Sequence, residues 1–324
     1  MKAVVCEKFG EIGDLRVDDV ATPEPKADEA RVRIMAAGVN WSDALMAQGR
    51  YQFKPDCPFS PGQEAAGVID AVGDDVCGLE SGMRVAVMVQ HGAFASAVVA
   101  KADQIVPIPD TLDFPRAATT MQTYGTALFA LEQRAGLVPN DTLLVTGAGG
   151  GAGLAAIDVG KALGATVIAA ASSPEKRTAA INLGADFTID YTTDTLKERT
   201  REITGGSGAD VVYDTVGGEH AVRALRAASD FGRYLIVGFA GGEIPQLPSN
   251  YILLGNRSAI GVDWGSLGVS DTPMRNKLVE RVLELVADDV MHPPRPAEYP
   301  LEDAVKVLTD MQARKTVGKI VLEP

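Results

Sequence analysis

Glycines are concentrated in one short stretch of this 324-residue chain, Gly147-Ala148-Gly149-Gly150-Gly151-Ala152-Gly153. An apolar run typical of a buried strand, Thr142–Thr146, precedes the stretch, and helical spacing follows it over 154–163. Glycines at such a junction let backbone N–H groups approach a pyrophosphate at the helix N-terminus. Two registers fit the dinucleotide fingerprint, GxGxxA from Gly147 and AxGxxG from Ala148. The stretch therefore predicts dinucleotide binding, whereas no GxxxxGK[ST] pattern supports an NTPase loop.

The residues at the end of the next predicted strand indicate which dinucleotide binds. An NAD site usually carries Asp or Glu there, about 20 residues after the loop. This chain instead has Ser172, Ser173, Lys176 and Arg177. A carboxylate would repel a 2′-phosphate, while hydroxyls and cations bind it. The pattern favours NADP(H), and Tyr191, after the third strand, can add a hydroxyl to the same phosphate.

A second group of chemically useful side chains lies within the first hundred residues. Asn40, Trp41 and Tyr51 offer an amide, an indole and a phenol in segments predicted to be loops, and Phe53 adds an aromatic ring. These groups are polar but uncharged, or aromatic. They suit a flat, neutral ligand better than a metal ion or a phosphate.

The elements that must position these residues change type along the chain. Over the first hundred residues, short apolar runs separated by Gly, Pro and Asp clusters predict a β-rich unit. Residues 116–134 have helical spacing, and apolar β-runs then alternate with helices to about residue 260. This alternation predicts parallel βαβ units. Two further helices and a last strand over 319–322 complete the pattern.

Composition excludes several classes of function. The net charge of −13 argues against nucleic acid or an anionic membrane as the main partner, because both require clustered Lys and Arg. The sequence contains no run of 18 consecutive apolar residues, so no membrane-spanning helix is expected. Acidic residues near the N-terminus argue against a signal peptide. Three widely spaced cysteines and three scattered histidines predict neither disulfides nor a zinc site. We therefore expect a cytoplasmic protein.

Several motifs together resemble a known family. The segments AAGVNWSDALMAQGRY, PFSPGQEAAGVI and GAGGGAGLAAIDVGKALGATVIAAASSPEKR are similar to those of the zinc-independent medium-chain dehydrogenase/reductases, and most closely to the NADPH:quinone oxidoreductase family. The resemblance runs from end to end and includes the closing strand from Gly318 to Leu322. It aligns the loop as Ala148, Gly150 and Gly153.

The resemblance implies an α/β protein of two domains. A GroES-like, β-rich catalytic domain would comprise residues 1–118 and 261–324, and a doubly wound, parallel-sheet Rossmann domain would comprise 119–260. The family binds its ligands in a cleft between these domains. It usually forms homodimers or homotetramers through the edge strand of the Rossmann sheet.

The resemblance also locates two positions that hold metal ligands in zinc-containing relatives. The first ligand, a Cys, corresponds to Asn40, and the second, the His of a Gly-His-Glu triplet, corresponds to Gln63. Both ligand types are missing at these positions. We therefore expect no metal, and alcohol dehydrogenation assisted by zinc is not expected.

Further cofactor contacts follow only from the resemblance. It implies that residues after several strands of the Rossmann domain, and one residue of the preceding helix, contact the nucleotide. With the loop residues, the set expected to bind cofactor is Thr126, Ala148, Gly150, Gly151, Ala152, Gly153, Ser172, Ser173, Lys176, Tyr191, Val216, Gly238, Phe239, Val262 and Trp264.

The reaction expected is hydride transfer from NADPH to a quinone or a related conjugated carbonyl, because such acceptors delocalise the added charge without a metal. An enolate product would need hydrogen-bond donors and a proton. Tyr51 is the candidate proton donor or oxyanion stabiliser, and Asn40 the candidate for orienting the substrate carbonyl or the nicotinamide. Trp41 and Phe53 are expected to line the substrate pocket, and Lys319 is interpreted as structural.

Two other functions stay open at this point. One is reduction of enoyl-CoA, acryloyl-CoA or a haloacrylate by the same fold, for which Arg50 and Lys54 beside Tyr51 could hold a CoA phosphate. The other is a structural protein that binds NADPH without turnover. The intact glycine loop, together with Tyr51 and Asn40, argues against lost chemistry.

Overall fold

Fifteen strands and ten α-helices make up the protein in this computed structural model, which describes all of residues 1–324. The strands are β1 (Lys2–Val5), β2 (Arg16–Asp19), β3 (Glu29–Gly38), β4 (Glu64–Val72), β5 (Arg84–Met88), β6 (Ala97–Lys101), β7 (Ile105–Pro107), β8 (Thr142–Thr146), β9 (Thr166–Ala170), β10 (Phe187–Ile189), β11 (Ala209–Asp214), β12 (Ala228–Ile236), β13 (Ser258–Gly261), β14 (Ala297–Pro300) and β15 (Ile320–Glu323).

The helices surround these strands, and one of them continues as a turn of π-helix. They are α1 (Trp41–Ala47), α2 (Phe114–Leu128, followed by π-helical Phe129–Arg134), α3 (Gly151–Ala162), α4 (Pro174–Asn182), α5 (Leu196–Ile203), α6 (Gly218–Ala227), α7 (Ser249–Leu254), α8 (Trp264–Ser270), α9 (Thr272–Ala287) and α10 (Ala304–Gln312).

The strands of the first unit form a largely antiparallel sheet. Its order is β14-β15-β3-β4-β5-β7, β6 also pairs with β3, and β1 and β2 form a separate ribbon. The last strand joins this sheet beside the long central strand, with Val321 opposite Gly38. A core that includes Val32, Ile69 and Val85 packs against it.

The second unit is a parallel six-stranded sheet in the order β10-β9-β8-β11-β12-β13. Numbered within the unit, this is the order 3-2-1-4-5-6 of a doubly wound fold. The central strand β8 is fully buried at Leu143, Leu144 and Val145, because helices cover both faces of such a sheet. The predicted α/β class with a doubly wound parallel sheet is confirmed.

The chain divides into two compact units, each made of more than one segment. The first unit comprises Met1–Gln122, Thr272–Ala287 and Pro294–Pro324, and the second comprises Thr123–Asp271 and Asp288–Pro293. The segment after β13 therefore belongs to the second unit, where the Trp264 ring packs on Phe129 at 6.2 Å between centroids.

Some short helices were not predicted from the sequence. Helix α1 has seven residues, which is too few turns for apolar periodicity to stand out. Helix α5 buries only Leu196 and Thr200, so one of its two core positions is polar. In such segments tertiary packing decides the conformation more than pattern does.

Two glycines of the loop after β8 are required by close packing. Gly147 has φ +64°, and a Cβ there would lie 2.3 Å from the Thr215 hydroxyl oxygen. A Cβ on Gly153 would lie 2.3 Å from the carbonyl oxygen of Gly147. These positions therefore let α3 approach the strand that precedes it, which is one role of the fingerprint glycines.

A third close approach involves Gly125 in the middle of α2. A Cβ there would lie 2.4 Å from Cζ2 of Trp264, whose indole is 3% exposed. Alanine at a helix interior is favoured over glycine by about 1 kcal/mol, but an overpacked buried site costs about 1–3 kcal/mol. The packing cost should exceed the gain in propensity, because the clash is with the ring of a buried indole and not with the end of a flexible side chain.

We therefore expect Gly125→Ala to lower the free energy of unfolding by up to about 2 kcal/mol. Denaturant unfolding of both variants checks this, with Gly13→Ala as the matched control, since a Cβ at Gly13 meets nothing within 4 Å. A Gly125→Ala protein as stable as the wild type would show that the Trp264 ring can move.

Candidate active site

The carboxyl ends of all six parallel strands carry residues predicted to bind cofactor. Parallel strands end at one edge of a sheet, so the segments that follow them lie along this edge, where open α/β sheets bind ligands. Thr126 is the exception, since it lies within α2. In the order of the sheet, the residues are Tyr191 after β10, Ser172, Ser173 and Lys176 after β9, residues 148–153 after β8, Val216 after β11, Gly238 and Phe239 after β12, and Val262 and Trp264 after β13.

The glycine loop has the properties of a phosphate cradle. Gly150 is the N-cap residue of α3 and has extended backbone angles, φ −89° and ψ 165°, with no side-chain cap. A Cβ on Gly150 would meet only the Gly147 carbonyl oxygen, at 3.5 Å. The protein itself therefore leaves room at Gly150, and the N–H groups of the first helical turn can donate hydrogen bonds to a ligand. Ala148, by contrast, is fully buried.

Lys176 lies over the same loop. A Cβ on Gly149 would lie 2.4 Å from both Cβ and Cγ of Lys176, so the lysine stem packs directly on this glycine. Ser173 begins the helix that carries the lysine, and its Oγ accepts a hydrogen bond from the Lys176 N–H at 3.4 Å. The N-cap and the absent side chain at residue 149 together place Lys176 beside the phosphate cradle.

The neighbouring cation is engaged elsewhere. The Arg177 guanidinium forms an ion pair with Asp190 at 2.8 Å and donates to the Ala171 carbonyl at 3.2 Å. Hydrogen bonds from Thr192, together with the nearby Arg177, hold the pKa of Asp190 below its usual range. Of the two cations that the sequence singled out, Lys176 is therefore the one beside the loop, and Arg177 binds the end of β10.

A buried carboxylate shapes the next segment of the edge. Asp214, at the end of β11, is 1% exposed and accepts hydrogen bonds from the Thr146 and Tyr234 hydroxyls. It also accepts from the N–H groups of Val216 at 2.9 Å and Gly217 at 3.3 Å. The backbone at Val216 is thereby fixed. Asp214 was not predicted from the sequence, although an acid that ends an apolar strand was a usable signal.

The remaining residues of this edge differ in how their side chains are used. The Tyr191 ring packs edge-on against His220, with centroids 5.2 Å apart. Phe239 is partly exposed and lies over Gly217, where a Cβ would be 2.8 Å from its ring. Val262 and the Trp264 indole are buried. The Trp264 side chain therefore serves packing, and only the backbone of this residue is available for the predicted contact with the cofactor.

In the first unit, Asn40 belongs to a buried polar cluster. Its backbone N–H donates to Asp43 at 2.8 Å as α1 begins, and its Nδ2 donates to Glu64 Oε1 at 2.9 Å. Lys319 Nζ donates to Asn40 Oδ1 at 2.6 Å, to Glu64 Oε1 at 2.9 Å and to the Val39 carbonyl at 3.0 Å. We refer to Asn40, Asp43, Glu64 and Lys319 as the amide–lysine cluster.

The charges of this cluster are almost completely removed from water. Glu64 and Asp43 are 0% exposed, and the Lys319 side chain is 12% exposed. Glu64 also accepts from the Gln122 backbone N–H at 2.9 Å, so both of its oxygens have donors. Burial raises the pKa of Asp43 to about 7, while Asn40 and Lys319 act against this rise. The sequence indicated only Asn40 of these four.

Aromatic side chains lie along the segment that follows α1. Tyr51 and Phe53 pack against the core of the first unit, and the Phe53 ring stacks on His91 at 6.2 Å and 18°. Phe59 meets the same imidazole edge-on at 5.8 Å. Burial lowers the pKa of His91, so the imidazole is neutral at pH 7. Trp41, the first residue of α1, is half-buried.

Asn40 and Gln63, which the resemblance aligns with metal ligands of zinc-containing relatives, both have hydrogen-bonded amides. Asn40 is bonded as described above, and Gln63 Oε1 accepts from the Ser42 hydroxyl. No group of three or more His, Cys, Asp or Glu side chains is placed to hold a metal ion. None of the ten helices combines the length and the apolar character that a bilayer crossing requires.

Comparison with known proteins places this site in a family. Residues 26–110 match the alcohol dehydrogenase GroES-like domain, and residues 151–287 match the family described as zinc-binding dehydrogenase. Quinone oxidoreductase-like protein 2 of Rattus norvegicus is 35% identical over 322 residues, covering 99% of this chain and 91% of that protein. A quinone oxidoreductase of Pseudomonas aeruginosa is 33% identical, covering 100% and 99%.

A solved structure shows the same architecture. The Escherichia coli quinone oxidoreductase, crystallised in complex with NADPH, superimposes with a TM-score of 0.92 at 27% identity and covers all of both chains. The predicted GroES-like and Rossmann architecture is confirmed by these matches. The chain is an oxidoreductase of the medium-chain dehydrogenase/reductase superfamily, and within it the chain belongs to the quinone oxidoreductase family.

Proposed function

We propose that the protein reduces a quinone, or a related conjugated carbonyl compound, with NADPH and without zinc. The observation that carries this proposal is the amide–lysine cluster, in which Lys319 and Glu64 hold the Asn40 amide, a hydrogen-bond donor, at the position where zinc-containing relatives have a metal ligand. Hydrogen-bond donors of this kind stabilise an oxygen that gains negative charge. An acceptor that delocalises its charge needs no stronger Lewis acid.

The cofactor is NADP(H), and the residues present fit it. Gly150 and the first turn of α3 would hold the pyrophosphate, and Lys176 the 2′-phosphate. Bound NADPH supplies a hydride for the acceptor. No carboxylate ends β9, where Ser172 and Ser173 stand instead, and the acid at the end of β10 is neutralised by Arg177.

The residues of the first unit would act on the acceptor. Asn40 donates one Nδ2 hydrogen to Glu64, which leaves its second Nδ2 hydrogen for the acceptor oxygen. Tyr51 delivers a proton from its phenol oxygen as the acceptor gains charge. Phe53 stacks on the neutral His91, and together with Trp41 they would form flat walls that suit an aromatic acceptor.

A panel of acceptors tests this function. We expect NADPH oxidation with 1,4-benzoquinone and phenanthrenequinone to exceed that with crotonyl-CoA and acryloyl-CoA, and to persist after dialysis against EDTA, with no zinc detected by mass spectrometry. Faster reduction of the CoA thioesters would assign the enoyl reductase function instead, to which the exposed Arg50 and Lys54 would then contribute. NADPH binding without any turnover would overturn the enzyme function.

The cofactor assignment predicts an asymmetric effect of Lys176→Ala. Loss of a charge-assisted contact with the 2′-phosphate should raise KM for NADPH about tenfold and leave KM for NADH nearly unchanged. Lys197→Ala is the matched control, because it removes the same charge from α5, which carries none of the predicted cofactor residues. Equal effects of Lys176→Ala on both cofactors would contradict the phosphate role.

The role of the phenol is tested by Tyr51→Phe, which keeps the ring and removes the hydroxyl. We expect kcat for quinone reduction to fall about 100-fold, as for loss of a general acid, with KM for NADPH unchanged. Tyr299→Phe, at a half-buried tyrosine of β14, is the control. An unchanged kcat in Tyr51→Phe would assign this residue to the wall of the pocket.

Assembly and location stay predictions. The family resemblance suggests a homodimer or homotetramer built through the edge of the Rossmann sheet. The edge strand β13 is largely exposed, and Leu253 and Leu254 on α7 are more than 70% exposed, as a contact with a second copy would require. Light scattering of the purified chain measures the assembly, and a monomer would contradict it.

A further inference from the structure

Lys319 is the cation of the amide–lysine cluster, and its contacts go beyond those of a surface lysine. It lies immediately before β15, and its Nζ donates to three oxygens, those of Asn40 Oδ1, Glu64 Oε1 and the Val39 carbonyl, at 2.6–3.0 Å. An ammonium group has three hydrogens to donate, so all of them are used. Lys319 therefore contributes no hydrogen bond to a ligand itself.

These contacts decide the orientation of the Asn40 amide. An ammonium group only donates and a carboxylate only accepts, so Oδ1 must face Lys319 and Nδ2 must face Glu64. The reversed amide would oppose an N–H to the ammonium group and an oxygen to the carboxylate. The second hydrogen of Nδ2 is then left over as a donor.

The ammonium group also changes the chemistry of that hydrogen. An ammonium group that donates to the amide oxygen draws electron density away from the amide nitrogen. Hydrogen bonds connected in such a chain also strengthen one another. The remaining N–H of Asn40 becomes a stronger donor to an oxygen that gains negative charge. With a free amide, thermal rotation would present Oδ1 to the same oxygen part of the time and repel it.

We propose that Lys319 is a positioning residue for the reduction, which orients the Asn40 amide and polarises it as a donor to the acceptor oxygen. This inference rests on the proposed function, because it assigns to Asn40 the contact with the acceptor. It gives the buried ammonium group a chemical task at the place where zinc-containing relatives have a metal ligand.

A purely structural role for Lys319 is the competing explanation. Glu64 is completely buried, and an unpaired buried carboxylate is strongly destabilising, so Lys319 could serve only to neutralise it. The two roles predict different effects of losing Lys319 in a protein whose residue 64 carries no charge to neutralise. Glu64→Gln removes the negative charge, and its single amide oxygen can still accept from Asn40 Nδ2, although the Gln122 N–H then loses its acceptor. The double variant Lys319→Met/Glu64→Gln therefore leaves no buried charge unpaired at this contact.

The test compares stability, cofactor binding and turnover in Lys319→Met, Lys319→Arg and the double variant. We expect Lys319→Met to be unstable and the double variant to regain stability. In both variants kcat for quinone reduction should stay about 10–100-fold below the wild-type value, which is the range seen when a partner that orients a site residue is lost. The Kd for NADPH should not change, since the predicted cofactor residues are in the other unit. Lys319→Arg should restore most of kcat.

A second part of the experiment repeats the comparison in an Asn40→Ala background. If Lys319 acts through Asn40, the double variant Lys319→Met/Glu64→Gln should lower kcat in the wild-type background and produce no further loss in the Asn40→Ala background. Wild-type kcat in Lys319→Met/Glu64→Gln, or equal losses with and without Asn40, would overturn the proposal and leave Lys319 a structural counter-ion.

A readout without turnover separates this inference from the proposed function. A wild-type protein that reduces none of the acceptors would overturn the function. The ¹⁵N-labelled side-chain amide of Asn40 reports on Lys319 in either case, and its two proton resonances should shift and exchange faster in the double variant. Unchanged amide resonances would show that Lys319 does not orient Asn40.

Discussion

Glu64 is a carboxylate without access to water, and the first unit is arranged to supply its partners. An ionised group in such a place must be paired and hydrogen-bonded on every side. Its donors come from the loop before α1, from α2 and from the segment before the last strand. The unit therefore brings together residues 40, 122 and 319, and the order of strands that places β15 beside β3 is what makes this possible.

The second unit solves a similar problem with backbone groups. Asp214 gathers two hydroxyls and two N–H groups, and so fixes the turn after β11 where a nucleotide would lie. The loop after β8 does the opposite and leaves N–H groups at the start of α3 without a side-chain cap. One turn at this edge of the sheet is thus capped by a side chain and the neighbouring helix start is not, and the uncapped N–H groups are the ones proposed to bind a phosphate.

The sequence predicted those features whose signal is local. The strand, the glycine loop and the helix from Thr142 to Leu163 are contiguous, so periodicity and glycine spacing identify them without knowledge of the rest. The amide–lysine cluster joins residues 64 and 319, whose contact depends on a strand pairing that no local pattern encodes. The ion pair between Arg177 and Asp190, which lies at the end of the next strand, is likewise a contact that no local pattern encodes.

The packing of Lys176 on Gly149 has a consequence for how cofactor preference can change. The lysine stem occupies the volume that any side chain at residue 149 would need. A loop with alanine at position 149 would therefore displace the lysine without changing any charge. If Lys176 holds the 2′-phosphate as proposed, cofactor preference in this chain depends on two positions together, and a change at one of them is constrained by the residue at the other.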